Sequence, residues 1–322
     1  MIKCKLSDPS STTNSGAKNM ILKATGKINN TVSAAGHYIY PGYMIKGKKK
    51  NLMIEAGINI LGPSYLKDLN RFFNNGDELD YILVTQSHYD HLGALSFLKR
   101  ALPHVKTGAA PRVGKLMQKP SVIKTMNFLS DQLGDYFKDE IPVTEDNIQI
   151  TPMAFDMALK EGDVIELGGI SCHVYETPGH TRDHLSFFIP ELSMLFPGEA
   201  LGNPAGDGTE VKVEFVTSYS DYMASIEKLV QLNPDIIAMS HMYVYTEEDA
   251  HKHMDRTILA TRAYRQLIEI YLDQAQGEIK DAVDLMVKVE YDQKGEILME
   301  RNAYIANLNA QVAAVHAAGQ NC

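Results

Sequence analysis

The chain has 322 residues, 44% of them hydrophobic and 22% charged, with a formal net charge of -9. That length fits one large α/β or β-rich domain with an appendage, and the acidic balance argues against nucleic acid, whose phosphates need clustered Lys and Arg. No apolar run reaches the ~20 residues of a membrane span. The 3 cysteines, Cys4, Cys172 and Cys322, are far apart and form no CxxC, which points to a reducing compartment. With no apolar leader in "MIKCKLSDPSSTTNSG", the expectation is a cytoplasmic protein.

In chain order, residues 1–20 include a Ser/Thr/Asn-rich stretch and read as a flexible N-terminus. "HYIYPGYMIKG" and "NLMIEAG" are β-rich runs, and the basic run Lys46 to Lys50 between them reads as a solvated hairpin turn. Tyr65 to Asn74 repeats apolar residues at helical spacing. Tyr81 to Thr85 is a continuous apolar run, as a buried central strand requires. Ala94 to Leu102 reads as a helix that Pro103 stops. Ser121 to Phe137 also has helical period and predicts a helical insert, bounded at 115–140. Strand signals resume at Asp163 and run through Leu185 to Phe196. A helix is predicted over Tyr222 to Leu232 and a strand over Asp235 to Ser240. After Thr246 the pattern is helical throughout, over Glu247 to Gln276, Lys280 to Val289 and Glu296 to Ala317. The expected organisation is therefore a mixed α/β body over 21–246 and a helical cap over 247–322.

Five stretches share one feature: His, Asp, Glu or Gln placed directly after an apolar strand-like run. "LVTQSHYDHLGA" carries Gln86, His88, Asp90 and His91, "ETPGHTRDH" carries His180, "LFPGEALG" carries Glu199, "IIAMSHMY" carries His241, and "NLMIEAG" carries Glu55. Loops at strand ends are where sites are built on a rigid scaffold, and zinc, iron and manganese favour imidazole with carboxylate. Other histidines read differently. His184 reads as a strand start, with a role behind the metal ligands as the alternative, and His173 as facing away from the core. His251 and His253 lie among acidic neighbours and read as a solvated helix face. Tyr243 and Tyr245 either line a pocket or pack under the tail.

Together these motifs resemble the metallo-β-lactamase superfamily, which carries T-H-x-H-x-D-H after a strand, then G-H-[ST], then G-D, and last a strand-terminal His. Here the matching residues are Thr85-Gln86-Ser87-His88-Tyr89-Asp90-His91, Pro178-Gly179-His180-Thr181, Gly198-Glu199 and Ser240-His241. The resemblance implies an αββα sandwich with metals at one edge and a C-terminal helical extension. It implies a first metal site of His88, His180 and Gln86, and a second of Asp90, His91 and His241, with Glu199 as the bridging carboxylate. Asp90 is also the candidate catalytic residue, and Glu55 stands where the family often has a carboxylate behind a ligand histidine. Two departures stand out: Gln86 offers an amide in place of imidazole, and Glu199 is one methylene longer than Asp. Two divalent ions, zinc first and iron or manganese next, are implied, with a single ion at Asp90, His91 and His241 as the alternative.

"SHYDHLG", "GHTRDH", "GEALG" and the helical tail together resemble the 2-aminobenzoylacetyl-CoA thioesterase-like branch. That resemblance implies hydrolysis of an acyl ester or thioester through a metal-bound hydroxide, in a tunnel walled by Ile258, Leu259, Tyr264, Leu267, Ile270 and Tyr271; plain packing of these residues against the body is the alternative. A lactonase or glyoxalase II-like hydrolase, or a regulatory or binding protein of the same fold with little turnover, remains as an alternative. The expected partner is a small acyl substrate, with neither nucleic acid nor membrane, and a homodimer is an open expectation.

Overall fold

Alternating and continuous apolar runs build the two sheets on which the candidate donors sit. A computed structural model describes residues 21–73, 78–137, 140–141, 147–295, 297 and 301–319. The N-terminus expected to be flexible, 1–20, lies outside the described residues. The first half contains β1 (Ile21–Lys23), β2 (Gly26–Lys27), β3 (Val32–His37), β4 (Tyr40–Lys46), β5 (Asn51–Ile54), α1 (Gly62–Phe72), β6 (Tyr81–Leu83), α2 (Tyr89–Leu92), α3 (Leu95–Ala101), β7 (Lys106–Ala109), α4 (Pro111–Leu116), α5 (Pro120–Phe137) and β8 (Met157–Ala158). The second half contains β9 (Val164–Glu166), β10 (Ser171–Glu176), β11 (Leu185–Ile189), β12 (Met194–Phe196), β13 (Asn203–Ala205), β14 (Glu210–Lys212), α6 (Tyr219–Val230), β15 (Ile236–Ala238), β16 (Tyr243–Thr246), α7 (Glu248–Gln274), α8 (Ile279–Met286) and α9 (Arg301–Gly319).

One seven-stranded sheet takes consecutive strands in the order β2-β3-β4-β5-β6-β7-β8, and the other has the order β1-β16-β15-β12-β11-β10-β9. β4 and β5 are joined through the lysine-rich turn, closed by Gly47 N–H on the Lys50 carbonyl at 3.2 Å. The sheets face each other across one core, where the rings of Tyr43 and Phe196 stand 5.3 Å apart. The second sheet is buried on both faces. Phe187, Phe196 and Val244 enter the core between the sheets, while their neighbours Phe188, Leu195 and Tyr245 enter a second core under the helices. A strand alternates sides every residue, so burial on both faces demands the unbroken apolar runs seen in this half of the sequence.

α6 to α9 close that second core with Ile226, Met254, Ile268, Val283 and Leu308. Among the described residues no helix is long and apolar enough to cross a membrane. β5 runs parallel to β6, and β12 runs parallel to β15. Within each pair the chain therefore leaves its strands at the same end of the sheet, and the candidate residues follow those ends.

Candidate metal centre

Each donor loop leaves the end of a strand. Glu55 follows β5, the Thr85–Asp90 segment follows β6, His180 follows β10, Glu199 follows β12 and His241 follows β15. Glu55 has φ +70° and Met242, next to His241, has φ +64°. Such backbone outliers in residues other than glycine collect where a site dictates side-chain direction. Gly179 delivers His180: a Cβ there, at φ +131°, would stand 2.4 Å from the Tyr222 backbone nitrogen. Its carbonyl accepts the Thr217 N–H at 2.9 Å, which ties the loop to the start of α6.

These loops bring the donors into two adjoining groups. One is His88, His180 and Glu199, the other Asp90, His91 and His241, and within each group the ligand atoms lie within 4.8 Å of one another. Glu199 faces both. Its Oε2 is 2.6 Å from His180 Nε2 and 3.5 Å from His91 Nε2, and its Oε1 is 3.5 Å from His241 Nε2. Asp90 Oδ2 stands 3.8 Å from His241 Nε2 and 4.0 Å from His91 Nε2.

Three observations fit this donor set to divalent cations. First, three histidines each turn Nδ1 outward to an acceptor: His91 to Glu55 Oε1 at 3.0 Å, His180 to the Glu214 carbonyl at 2.5 Å and His241 to the Ile39 carbonyl at 2.8 Å. A neutral imidazole held that way points the Nε2 lone pair inward, the arrangement that orients metal-ligating histidines. Second, His88 Nδ1 and His180 Nε2 stand 3.2 Å apart. Two nitrogens on one ion, each about 2.0–2.1 Å from it, stand about 3.3 Å apart. Third, the Gln86 amide oxygen is buried without a hydrogen-bond partner, although its nitrogen donates to Glu199 Oε2 at 2.7 Å. A buried polar atom left unpaired is costly unless something polar or charged meets it.

The electrostatics agree. Burial works against charge on Glu199, but His180, His241 and His91 outweigh it and hold the carboxyl well below its usual range. Burial likewise opposes charge on His91, His180 and His241, yet the surrounding carboxylates raise all three, led by Glu55 at His91 and by Glu199 at the other two. His88 goes the other way: burial and His180 push it down to about 4. The cluster is a buried carboxylate set that draws positive charge to itself, as protons or as metal.

A family model described as "Metallo-beta-lactamase superfamily" matches residues 41–241. The chain belongs to the metallo-β-lactamase superfamily. Among its relatives, "Metallo-beta-lactamase fold-containing protein ST1585" of Sulfurisphaera tokodaii is 26% identical over 67% of this chain and 77% of that protein. Human "Acyl-coenzyme A thioesterase MBLAC2" is 23% identical over 59% of this chain and 67% of that protein. The solved structure of the metallo-beta-lactamase family protein TTHA1429 from Thermus thermophilus superposes with a TM-score of 0.60 at 15% identity, covering 94% of each chain. The αββα architecture expected from the motifs is thus that of this superfamily.

Within this metallo-β-lactamase site, Gln86 stands beside both ligand groups. Its amide nitrogen lies between Glu199 Oε2 and, at 2.8 Å, His91 Nε2. Glu55 stands behind His91: its Oε1 accepts from Thr85 Oγ1 at 2.6 Å, Ser240 Oγ at 2.9 Å and His91 Nδ1. His184 is corrected from a plain strand start. It is buried, accepts the Glu199 N–H on Nε2 at 3.0 Å and meets Thr177 Oγ1 through Nδ1 at 2.8 Å. Three residues had no sequence signal. Asn203 Nδ2 donates to Glu199 Oε1 at 2.5 Å, and Lys212 Nζ pairs with Glu214 Oε1 at 2.5 Å.

One expectation for the tail is overturned. His253 is 0% exposed, its ring stacks 4.3 Å from that of Tyr245, and its Nε2 donates to the Leu201 carbonyl at 3.1 Å. Tyr245 therefore packs under the tail, its hydroxyl on the Gly208 carbonyl at 2.7 Å. Leu259 and Ile270 face outward, 67% and 53% exposed, while Tyr271 joins the helical core. The cavity next to the donors is lined by Ser87, His88 and Tyr89 together with α4 and α5, and by none of these tail residues.

Protons compete with cations for the raised histidines, since imidazole binds metal only when neutral. Stabilisation by added zinc is therefore expected to weaken as pH falls. The thermal midpoint gain at saturating zinc is expected to be larger at pH 8 than at pH 5.5. Equal gains at both would place the metal away from His91, His180 and His241.

Proposed function

We propose that the protein is a metal-dependent hydrolase of acyl thioesters or esters. The observation that carries this is the pair of donor groups with Glu199 facing both, behind three histidines whose Nδ1 atoms are tied outward. The relative that is an acyl-coenzyme A thioesterase adds support for the substrate class. On this reading His88, His180 and Glu199 hold one divalent ion, Gln86 Oε1 adds a weak oxygen donor, and Asp90, His91 and His241 hold the second. Zinc suits the imidazole-rich set best, with iron or manganese favoured by the oxygen donors.

Divalent cations bound there polarise a carbonyl and make water acidic enough to react near neutral pH. The residues do the rest. Asp90 has its side chain 20% exposed, so its carboxylate reaches both the donors and the open side, where it takes a proton from the attacking water. Water supplies OH to the acyl carbon, the C–S or C–O bond breaks, and the proton passes to the leaving thiol or alcohol. Glu55, Asn203 and His184 keep the ligand side chains and the Glu199 loop in register.

Metal analysis of the purified chain is expected to give close to two ions per chain. Acyl-CoA substrates are expected to release free thiol in a reaction abolished by a chelator and restored by zinc, iron or manganese. Two bound ions with no turnover on any acyl ester or thioester would replace the hydrolase by the binding-protein reading.

A further inference from the structure

We propose that the cavity between α5 and the His88–Tyr89 loop is the subsite for the apolar acyl chain, and that α5 sets how long a chain the protein accepts. This rests on the hydrolase reading and names the substrate's apolar end. The cavity holds about 340 Å³ and shares His88 with the first donor group. Val122, Met126 and Leu129 lie at i, i+4 and i+7 of α5, which puts them on one face of the helix. That face, with Leu116 of α4, forms the wall opposite His88 and Tyr89. Among the described residues, no lysine or arginine lines the cavity. An anionic carrier such as a coenzyme phosphate finds no partner in it, whereas an alkyl chain does.

Size and support point the same way. At about 30 Å³ per water-sized unit the space takes roughly ten, a medium-length alkyl chain. Leu129 is 38% exposed and Phe128 beside it 61% exposed, so the far end of the cavity opens to solvent, whereas Met126 at 6% forms its inner wall. α5 is held within this wall and again at its C-terminal end. Asn127 exchanges two hydrogen bonds with the Ile150 backbone, at 2.8 and 2.9 Å. Further on, Phe137 packs edge-on against Tyr40 at 6.0 Å, and Tyr40 packs edge-on against His241 at 5.4 Å. The helix that walls the cavity is thereby registered to the second donor group as well.

The test uses the metal-loaded full chain and straight-chain acyl thioesters from acetyl to palmitoyl. In the wild type, kcat/KM is expected to rise about fourfold per added methylene and level off near eight to ten carbons. Thr125→Trp, which places bulk at the cavity mouth, is expected to lower the octanoyl-to-acetyl ratio of kcat/KM at least tenfold. Met126→Ala is expected to move the onset of that plateau to longer chains. A wild-type profile flat in chain length, or variants that scale every chain alike, overturns the subsite. Absence of turnover on every substrate counts against the hydrolase reading instead, and the cavity is then read by binding. Dansylaminoundecanoic acid is expected to bind the wild type, to be displaced by decanoate, and to bind Thr125→Trp at least tenfold more weakly. Equal binding to both proteins overturns the proposal.

Discussion

Replacing His91 by alanine is expected to remove about one metal ion per chain and to lower kcat/KM by about a thousandfold or more. Losing a partner behind a metal ligand already costs about 10–100-fold, and His91 is the ligand candidate with the most buried partners. Its Nδ1 is 3.0 Å from Glu55 Oε1, its Nε2 faces Asp90 and Glu199, and it is 1% exposed. The substitution leaves Glu55 and Glu199 facing a void. Breaking a buried charged pair from one side costs about 3–5 kcal/mol, so the apo protein is also expected to melt at a lower temperature. Glu55→Gln separates the two effects. It keeps an acceptor for Thr85 and Ser240 but removes the charge that raises His91, and is expected to weaken metal binding about 10–100-fold with little change in folding. The comparison is read by metal content after dialysis and by thiol release. A His91→Ala protein that keeps two ions and wild-type rate would remove His91 from the site.

The donors were legible because each is encoded locally. An apolar strand, then a short loop carrying His or a carboxylate, is a pattern of neighbours, and it occurs at Glu55, His88, His180, Glu199 and His241. Strands β4, β5, β6, β10, β11, β12 and β15 were legible for the same reason, because period-two and continuous apolar runs state how many faces of a strand are covered, whereas short strands such as β7 and β16 carried no such run. What was not legible depends on topology. Gln86 and Glu199 are 113 positions apart, and nothing in "TQSH" shows that the amide turns its nitrogen to that carboxylate and leaves its oxygen bare. Asn203 opens β13 and Glu214 lies just past β14, and nothing in the local sequence shows that this ribbon folds back onto the Glu199 loop. The apolar stripes of α5 and of the tail look alike in sequence, and a stripe does not say which surface it meets, so the tail is as good a wall for the substrate until the fold is known. His253 is different, since a signal was present. Ala250, His253, Met254, Thr257 and Thr261 form one buried stripe of α7. The acidic neighbours that suggested a solvated face occupy the other side of the helix.

That misread histidine is expected to link the tail's attachment to pH. Burial pushes His253 down to about 4; the Leu201 carbonyl opposes the shift and Arg256 adds to it. In the unfolded chain the imidazole takes its proton near pH 6.5. Between those values the unfolded state holds the extra proton, so stability rises with pH. The contribution is complete above about pH 6.5 and drains away as pH falls toward 4. A shift of that size is worth about 3 kcal/mol in full, of which about 2 kcal/mol is lost between pH 7 and pH 5. The loss acts where the tail grips the body, because His253 Nε2 and Thr257 Oγ1, at 3.1 and 3.0 Å, both donate to the Leu201 carbonyl, two residues past Glu199. His253→Gln keeps a neutral donor that does not titrate. Urea unfolding of the two metal-loaded proteins at pH 7 and pH 5 isolates the term, since every other titrating group is common to both. The wild type is expected to lose about 2 kcal/mol more than the variant over that interval, whereas parallel losses would show that His253 ionises as easily folded as unfolded.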